Sequence, residues 1–212
     1  MSIIATKDEL TEIFYSGCKT EELIGLEYEK IPVYKENYKA ADYFDVVQII
    51  FDMENEDKEV LFEGKNPIGM MMPYGHISLE PGTQTEISLN PVKNISELRK
   101  MIDDYNAETA EIAAKYGICW VGLGIQPVLT FEKINVIPKK RYTRMTNYLP
   151  KRAKLPFVMM RETAGIQVGL DYSSEEDAMQ KLKTALKLSP LVSAMFANSP
   201  VRNSRLSGAK SF

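Results

Sequence analysis

Apolar residues recur every three or four positions along several stretches of the chain, a spacing that predicts amphipathic helices. The first helix begins at Thr6, because Glu9 three residues later completes a capping box, and it ends at Gly17. The same spacing predicts a second helix over 42–52 and a third over 94–116. Each of these helices presents one apolar face to a core.

A fourth helix carries the clearest boundary signals. Ser173 is its expected N-cap, with Glu176 at the third position and further acids in the first turn. Lysines accumulate along the helix, where they complement the negative end of the helix dipole. Pro190 is expected to end it, because proline cannot donate a backbone hydrogen bond.

Four stretches between the helices alternate apolar and polar residues with a period of two, which predicts strands. Their apolar members are Ile24, Leu26 and Tyr28; Ile77 and Leu79; Thr85, Ile87 and Leu89; and Ile166, Val168, Leu170 and Tyr172. Pro81-Gly82 separates the second strand from the third so closely that the two predict an antiparallel hairpin. The expected fold is α+β, a single domain over 1–212 with helices packed on the apolar face of an antiparallel sheet.

The polar positions of these strands carry carboxylates. Glu27 and Glu29 are two residues apart, so they project from one face about 6.5 Å from each other. If the strands share one sheet, further polar side chains join that face: Glu80, Glu86 and Asp171, with Gln84 and Gln167 between them. Converging carboxylates repel one another unless a cation neutralises them, and oxygen ligands favour magnesium or manganese over zinc. A solvated sheet face would carry the same glutamates without a function, so alternation alone leaves both interpretations open.

Composition and charge narrow the class of protein. The chain is 44% apolar, enough for a sizeable core, and its net charge of −3 is that of an ordinary soluble protein. Basic residues concentrate between Lys139 and Lys154 without a matching pattern of interleaved aromatics or a basic helix stripe, which favours an anionic small molecule over nucleic acid. The isolated Cys18 and Cys119 predict a reducing compartment. With no visible signal peptide or membrane span, we expect a cytoplasmic protein, whose oligomeric state stays open.

Six segments, in chain order, resemble segments of the plant-like glutamate–cysteine ligases. They are G-L-E-Y-E-K at 25–30, I-S-L-E-P-G-T-Q-T-E-I-S at 77–88, G-L-G-I-Q-P at 122–127, R-Y-T-R-M-T-N-Y-L-P at 141–150, M-M-R-E-T-A-G-I-Q-V-G-L-D-Y-S-S-E at 159–175 and F-A-N-S-P at 196–200. One G-x-E-x-E strand would be a weak signal, whereas this ordered set is highly specific. The chain resembles the N-terminal part of the family's catalytic domain.

This resemblance implies a fold and a reaction. The fold is of the glutamine-synthetase and guanidino-kinase type, in which a curved antiparallel sheet holds magnesium and nucleotide on its concave face. In the implied reaction, ATP phosphorylates the γ-carboxylate of glutamate. The amine of cysteine then displaces phosphate to give γ-glutamylcysteine, in the first step of glutathione biosynthesis. The implied partners are therefore small molecules, with Mg²⁺ or Mn²⁺ as the metal and ATP as co-substrate.

The resemblance also implies residue roles, carried over motif by motif. Glutamates in the first two segments correspond to metal ligands, namely Glu27, Glu29, Glu80 and Glu86, of which Glu27, Glu29 and Glu86 are the expected catalytic groups. Gln84 would contact substrate or a metal-bound water, and Arg161 an anionic group of glutamate or ATP. Gln167 and Asp171 correspond to the strand on the nucleotide side.

Two other functions remain open from the sequence. The amine acceptor is not legible, so a related ATP-dependent carboxylate–amine ligase with another acceptor fits the same motifs. A truncated, non-catalytic domain that binds nucleotide or a partner chain also fits, because the resemblance breaks off at Ser211-Phe212, before the family's downstream arginine segment. Glu162 stands where plant relatives carry arginine. The 212-residue chain alone is therefore expected to be inactive.

Overall fold

An antiparallel sheet of seven strands forms the centre of the fold. The computed structural model describes residues 6–210, so Ser211 and Phe212, where the resemblance predicts a truncation, lie outside it. The strands of the sheet are β1 (Ile24–Tyr34), β2 (Glu59–Glu63), β3 (Asn66–Met72), β4 (Gly75–Leu79), β5 (Thr85–Val92), β6 (Ile118–Val121) and β7 (Ile166–Leu170). Their order is β2-β3-β4-β5-β1-β6, and β7 also pairs with β1.

Helices and a small hairpin complete the described chain. The helices are α1 (Lys7–Ser16), α2 (Tyr43–Met53), α3 (Ile95–Lys115), α4 (Lys140–Tyr148), α5 (Pro156–Arg161) and α6 (Glu175–Met195). Short 3₁₀ turns cover Phe131–Lys133 and Leu149–Lys151, and β8 (Val201–Arg202) pairs with β9 (Arg205–Leu206). In the described part of the chain, no helix is long and apolar enough to cross a membrane.

The core lies between one face of the sheet and helices α2 and α3. Its fully buried members come from both layers and include Val46, Ile49 and Ile50 of α2, Tyr105 and Ala113 of α3, and Met70, Ile77, Leu79 and Ile87 of the sheet. The opposite face of β1, β4 and β5 carries the polar alternate residues, because successive side chains of a strand point to opposite sides. The predicted α+β fold, with helices on the apolar face, is confirmed.

The first three predicted helices are confirmed together with their caps. Thr6 and Glu9 form both hydrogen bonds of the capping box. Asp42 caps α2 and Asn94 caps α3. Just beyond α3, Gly117 has φ of +65°, a left-handed conformation that glycine adopts without steric cost.

The predicted boundaries of the fourth helix were wrong at both ends. Its N-cap is Ser174, whose side chain accepts from the backbone N–H of Asp177, while the carboxylate of Asp177 accepts from the N–H of Ser173. The capping pattern is therefore shifted by one residue. Pro190 lies inside α6, which continues to Met195. Proline's φ is compatible with a helix, so its missing hydrogen bond need not terminate the last turns.

Three strands and one exposed surface were not predicted. Sequence alternation missed β2, β3 and β6, since β3 is a run of methionines without polar alternation and β6 is only four residues long. It also predicted that the apolar side chains of β7 are buried, which was wrong: Ile166, Val168 and Leu170 are each 59% exposed. Helix α6 has no buried residue either.

Candidate active site

Strand register brings the predicted glutamates onto one face of the sheet. Glu29 on β1 lies directly opposite Glu86 on β5, and Glu86 lies opposite Ser78 on β4. Glu27, two residues before Glu29, lies on the same face and is paired with Gln167 of β7. The four glutamates predicted from the strand pattern and the motifs therefore lie near one another, with Glu80 just beyond the end of β4.

Burial and mutual repulsion disfavour the charged state of these carboxylates. Burial raises the pKa of Glu29 to about 7. The backbone N–H of Gly165 partly opposes this rise, because it donates to Oε2 of Glu29 at 2.7 Å and stabilises the anion. Glu86 and Glu80 raise the Glu29 pKa further by repulsion. Burial also raises the pKa of Glu86, with added repulsion from Glu80 and Glu27. A cation on this face would favour the charged forms.

The donor chemistry of this face fits a hard divalent cation, because every glutamate supplies only oxygen. The side-chain conformations in the structure do not form a complete metal site. Among residues 6–210, no three Asp, Glu, His or Cys side chains are placed to hold a metal ion together. Their carboxylates bind protein donors instead, Glu80 through Ser78 and Tyr142 and Glu86 through Ser88. Metal binding would therefore require the side chains of Glu27, Glu29 and Glu86 to turn toward a shared point.

A cleft of about 920 Å³ opens beside the carboxylate face. Glu29, Glu80 and Gln167 contribute polar groups to its lining, and Arg141 of α4 adds a guanidinium. Apolar side chains form much of the remaining wall: Met145, Leu155, Val158, Met159, Met160, Val192 and Phe196. Glu27 and Glu86 lie beside the cleft rather than in its lining. An anionic molecule with an apolar part would match this combination of groups.

Gln84 lines the cleft and also holds a structural position, so its contact with substrate stays a prediction. Its side chain is 3% exposed, and its Oε1 accepts from the N–H of Gly82 at 2.7 Å. Its Nε2 donates to the carbonyls of Thr163 at 2.7 Å and Met160 at 3.2 Å. Both amide protons are therefore used, and Gln84 joins the β4–β5 turn to the end of α5.

Position 82 of this turn has no room for a side chain. A Cβ at Gly82 would lie 2.3 Å from the carbonyl oxygen of Arg161, a separation that real Cβ atoms do not reach. The β4–β5 turn and the end of α5 are thus in direct backbone contact. Glycine in the Pro81-Gly82 pair serves this close approach as well as the turn itself.

Arg161 and Asp171 do not line the cleft, and their contacts with substrate or nucleotide stay predictions. The Nη1 of Arg161 donates to the carbonyl of Phe131 at 3.1 Å, and its guanidinium stacks on Phe157, so it stabilises the 131–134 segment instead of facing the cleft. Asp171 accepts from the Nζ of Lys19 at 2.9 Å and from the N–H of Leu23, which ties β7 to the segment before β1. The hydrogen bond from Lys19 holds the pKa of Asp171 below its usual value. Of the residues predicted to contact substrate or nucleotide, Gln84 and Gln167 line the cleft.

Sequence reasoning missed two residues of α4 that contribute to the site. Arg141 lines the cleft, and Tyr142, which is 1% exposed, donates its hydroxyl proton toward Oε2 of Glu80 at 2.9 Å. Both belong to the R-Y pair of the 141–150 segment, which was the available signal. The concentration of basic residues after Lys139 predicts an anionic ligand, but it does not show which of these residues line the cleft.

Glu162 is part of a buried ion pair. It is fully buried and receives two hydrogen bonds from Arg202, at 2.5 and 2.7 Å, and one from the N–H of Phe131 at 2.8 Å. The side chain at this position therefore fastens the β8–β9 hairpin to α5. Its carboxylate has no free role in the cleft, because its charge is already compensated.

Comparison with known proteins identifies the family of the chain. The family model described as glutamate-cysteine ligase family 2 (GCS2) matches residues 23–212. Glutamate–cysteine ligase A, chloroplastic, of Oryza sativa subsp. japonica is 34% identical over 206 residues, which cover 96% of this chain and 42% of the relative. The chloroplastic enzymes of Nicotiana tabacum and Arabidopsis thaliana are 35% and 34% identical, with 96% of this chain and 40% of each relative covered.

These comparisons correct the expected cellular location and show how much of its relatives' length the chain covers. The expected cytoplasmic location was wrong, because these relatives are all named chloroplastic. The chain spans about two fifths of the length of the relatives that it matches. Since the family model matches nearly the whole chain, the chain belongs to glutamate-cysteine ligase family 2.

Proposed function

We propose that this chain provides the carboxylate face of an ATP- and magnesium-dependent ligase that joins the γ-carboxylate of L-glutamate to the amine of L-cysteine. The observation that supports this most strongly is the register of β1 and β5, which sets Glu29 opposite Glu86 beside a cleft that also contains Arg141. The fold is of the glutamine-synthetase and guanidino-kinase type, within one catalytic domain of which 1–212 is a part.

The chemistry requires the substrate carboxylate to be activated. A carboxylate is a poor acyl donor, so its oxygen first attacks the γ-phosphorus of ATP and ADP leaves. The cysteine amine then attacks the acyl carbon, phosphate departs with the bonding electrons, and the amine loses a proton. Mg²⁺ held by Glu27, Glu29, Glu80 and Glu86 would neutralise charge on the phosphate oxygens.

The chain's own residues would orient the reactants. Arg141 would pair with an anionic group, a phosphate or the α-carboxylate of glutamate, because it brings a guanidinium to the cleft. Gln167, which lines the cleft and is paired with Glu27, would donate or accept a hydrogen bond to a substrate. The apolar wall would exclude water from the acyl phosphate, which hydrolysis would otherwise consume.

Isotope exchange tests the acyl phosphate. Because this chain spans part of its relatives' length, the experiment uses a chimera in which the tobacco relative supplies the remaining length. With ATP labelled at the β,γ-bridge, glutamate and Mg²⁺ but no cysteine, the label should scramble. Glu29→Gln should abolish scrambling, and Glu111→Gln, an exposed change on α3, should not. Product formation without scrambling would refute the stepwise route.

A further inference from the structure

Glu80 differs from the other glutamates of the face in where it lies. It follows the last residue of β4, so no strand pairing fixes its orientation. Its backbone takes part in the tight turn instead, with its N–H donating to Gln84 and its carbonyl accepting from Thr83. The direction of its carboxylate must therefore be set by side chains around it.

Two hydroxyl groups hold that carboxylate, one at each oxygen. The Oγ of Ser78 donates to Oε1 at 3.0 Å, and the hydroxyl of Tyr142 donates to Oε2 at 2.9 Å. A carboxylate accepts about four hydrogen bonds, so each oxygen keeps a lone pair for another partner. The two donors fix the plane of the group without blocking the binding of a cation.

The tyrosine's single proton belongs to Glu80 rather than to the neighbouring carbonyl. The carbonyl of Leu79 is 3.3 Å from the Tyr142 hydroxyl, and it already accepts from the Nζ of Lys139 at 2.9 Å. The carboxylate is nearer and charged, which makes it the stronger acceptor. A phenol hydroxyl keeps its proton across the neutral range, so Tyr142 acts as a donor there.

Tyr142 is itself held rigidly. Its ring is 1% exposed and belongs to the core cluster, so its hydroxyl cannot swing away from Glu80. The neighbouring residue, Arg141, faces the cleft from the same turn of α4. One short helix therefore carries both the group that orients a carboxylate and the group that offers a positive charge to a ligand.

We propose that Tyr142 is a positioning residue that orients Glu80 for binding a divalent cation and so fixes α4, with Arg141, relative to the carboxylate face. The proposal rests on the proposed function, since it takes Glu80 as a metal ligand. Groups that orient metal ligands in this way typically contribute about 10- to 100-fold to metal affinity.

Manganese binding to the 212-residue chain tests this inference without requiring turnover. Free Mn²⁺ is measured by electron paramagnetic resonance for four forms: the unchanged chain, Glu80→Gln, Tyr142→Phe and the double variant. Tyr142→Phe should weaken Mn²⁺ binding about 10- to 100-fold, and it should add nothing in the Glu80→Gln background. Tyr148→Phe removes a hydroxyl from an exposed position on the same helix and should change affinity less than about twofold.

The outcomes separate the inference from the function on which it rests. If the unchanged chain binds no Mn²⁺, or Glu80→Gln binds as the unchanged chain does, the metal role of Glu80 is refuted and the inference with it. If Glu80→Gln weakens binding but Tyr142→Phe does not, only the inference is overturned. A Tyr142→Phe effect that persists in full in the Glu80→Gln background would assign Tyr142 a merely structural role and also overturn it.

Discussion

The carboxylates of β1 and β5 repel one another across the sheet, and their charge determines what this face can bind. Replacing Glu29 or Glu86 with Gln should weaken Mg²⁺ or Mn²⁺ binding about tenfold or more, because it removes a charged ligand and even the loss of a group that orients a ligand costs about 10- to 100-fold. Calorimetric titration of the 212-residue chain measures this. Glu111→Gln, exposed on α3, is the matched control. Equal affinities in all four proteins would contradict the metal assignment.

Lys30, on the opposite face of β1 from Glu29, is a buried cation without a carboxylate partner among the described residues. It is 4% exposed, donates to Oδ1 of Asn106 at 2.7 Å, and lies 4.4 Å from the ring centre of Tyr105 and 5.4 Å from that of Trp120. These contacts stabilise the ammonium, yet burial lowers the pKa of Lys30 to about 7. Desolvation therefore outweighs the aromatic rings.

The lowered pKa of Lys30 predicts a pH-dependent stability. Between pH 7 and 10.5 the unfolded chain holds this proton and the folded chain does not, so the free energy of unfolding should rise with pH across that window. Lys30→Met should remove the rise and stabilise the chain at pH 7, as measured by urea unfolding. Lys183→Met, exposed on α6, should leave the rise intact. A slope unchanged in Lys30→Met would contradict this assignment.

Hydrogen bonds of buried side chains join separate elements, and the side chain of Gln84 forms three of them. This side chain joins the β4–β5 turn to α5 through Gly82, Met160 and Thr163. Gln84→Leu would leave one N–H and two carbonyls without this partner in a buried place. We expect the free energy of unfolding to fall by about 2–4 kcal/mol, since each buried polar group left unpaired costs about 1–3 kcal/mol.

Chemical denaturation measures the Gln84 effect. Gln48→Leu makes the same change at an exposed position of α2 and should alter stability by no more than about 0.5 kcal/mol. If Gln84→Leu were as stable as the unchanged chain but bound glutamate or ATP more weakly, the result would contradict the structural role and support the predicted role of Gln84 in substrate binding.

At the scale of the whole molecule, an apolar surface remains uncovered next to the cleft. Every residue of β7 is exposed, α6 has no buried residue, and Val168, Val192 and Phe196 both line the cleft and reach solvent. A monomeric protein rarely leaves so much contiguous apolar surface in water. The wall of the cleft on this side is therefore open.

This open wall predicts low activity for the 212-residue chain by itself. A site that transfers a phosphoryl group must neutralise a triphosphate, and a single well-placed arginine can contribute about 10³-fold or more to the rate. ADP release with glutamate, cysteine and Mg²⁺ should therefore be far slower for this chain than for the chimera with the tobacco relative. Comparable turnover by the two would show that the cleft is already complete.

The sequence by itself determined the local structure of this protein and the composition of its carboxylate face. Capping residues fixed three helices, because Thr6, Asp42 and Asn94 satisfy backbone groups within a few residues of themselves. Alternation fixed the hairpin of β4 and β5 and put Glu27 and Glu29 on one side of β1. These features depend on neighbours in sequence, so the sequence could specify them.

Only the tertiary structure decided which polar side chains face the cleft and which hold the fold together. Gln84, Arg161 and Asp171 all match motifs, and each forms hydrogen bonds that join separate elements, although only Gln84 of the three also lines the cleft. Tyr142 belongs to the R-Y pair of a matched segment, but the segment does not show that its hydroxyl bonds to a glutamate 62 residues away. Such partners are set by the packing of separate elements. A strand pattern shows which side chains share a face, but it does not show what covers that face. The exposure of β7 therefore could not be predicted from its alternation.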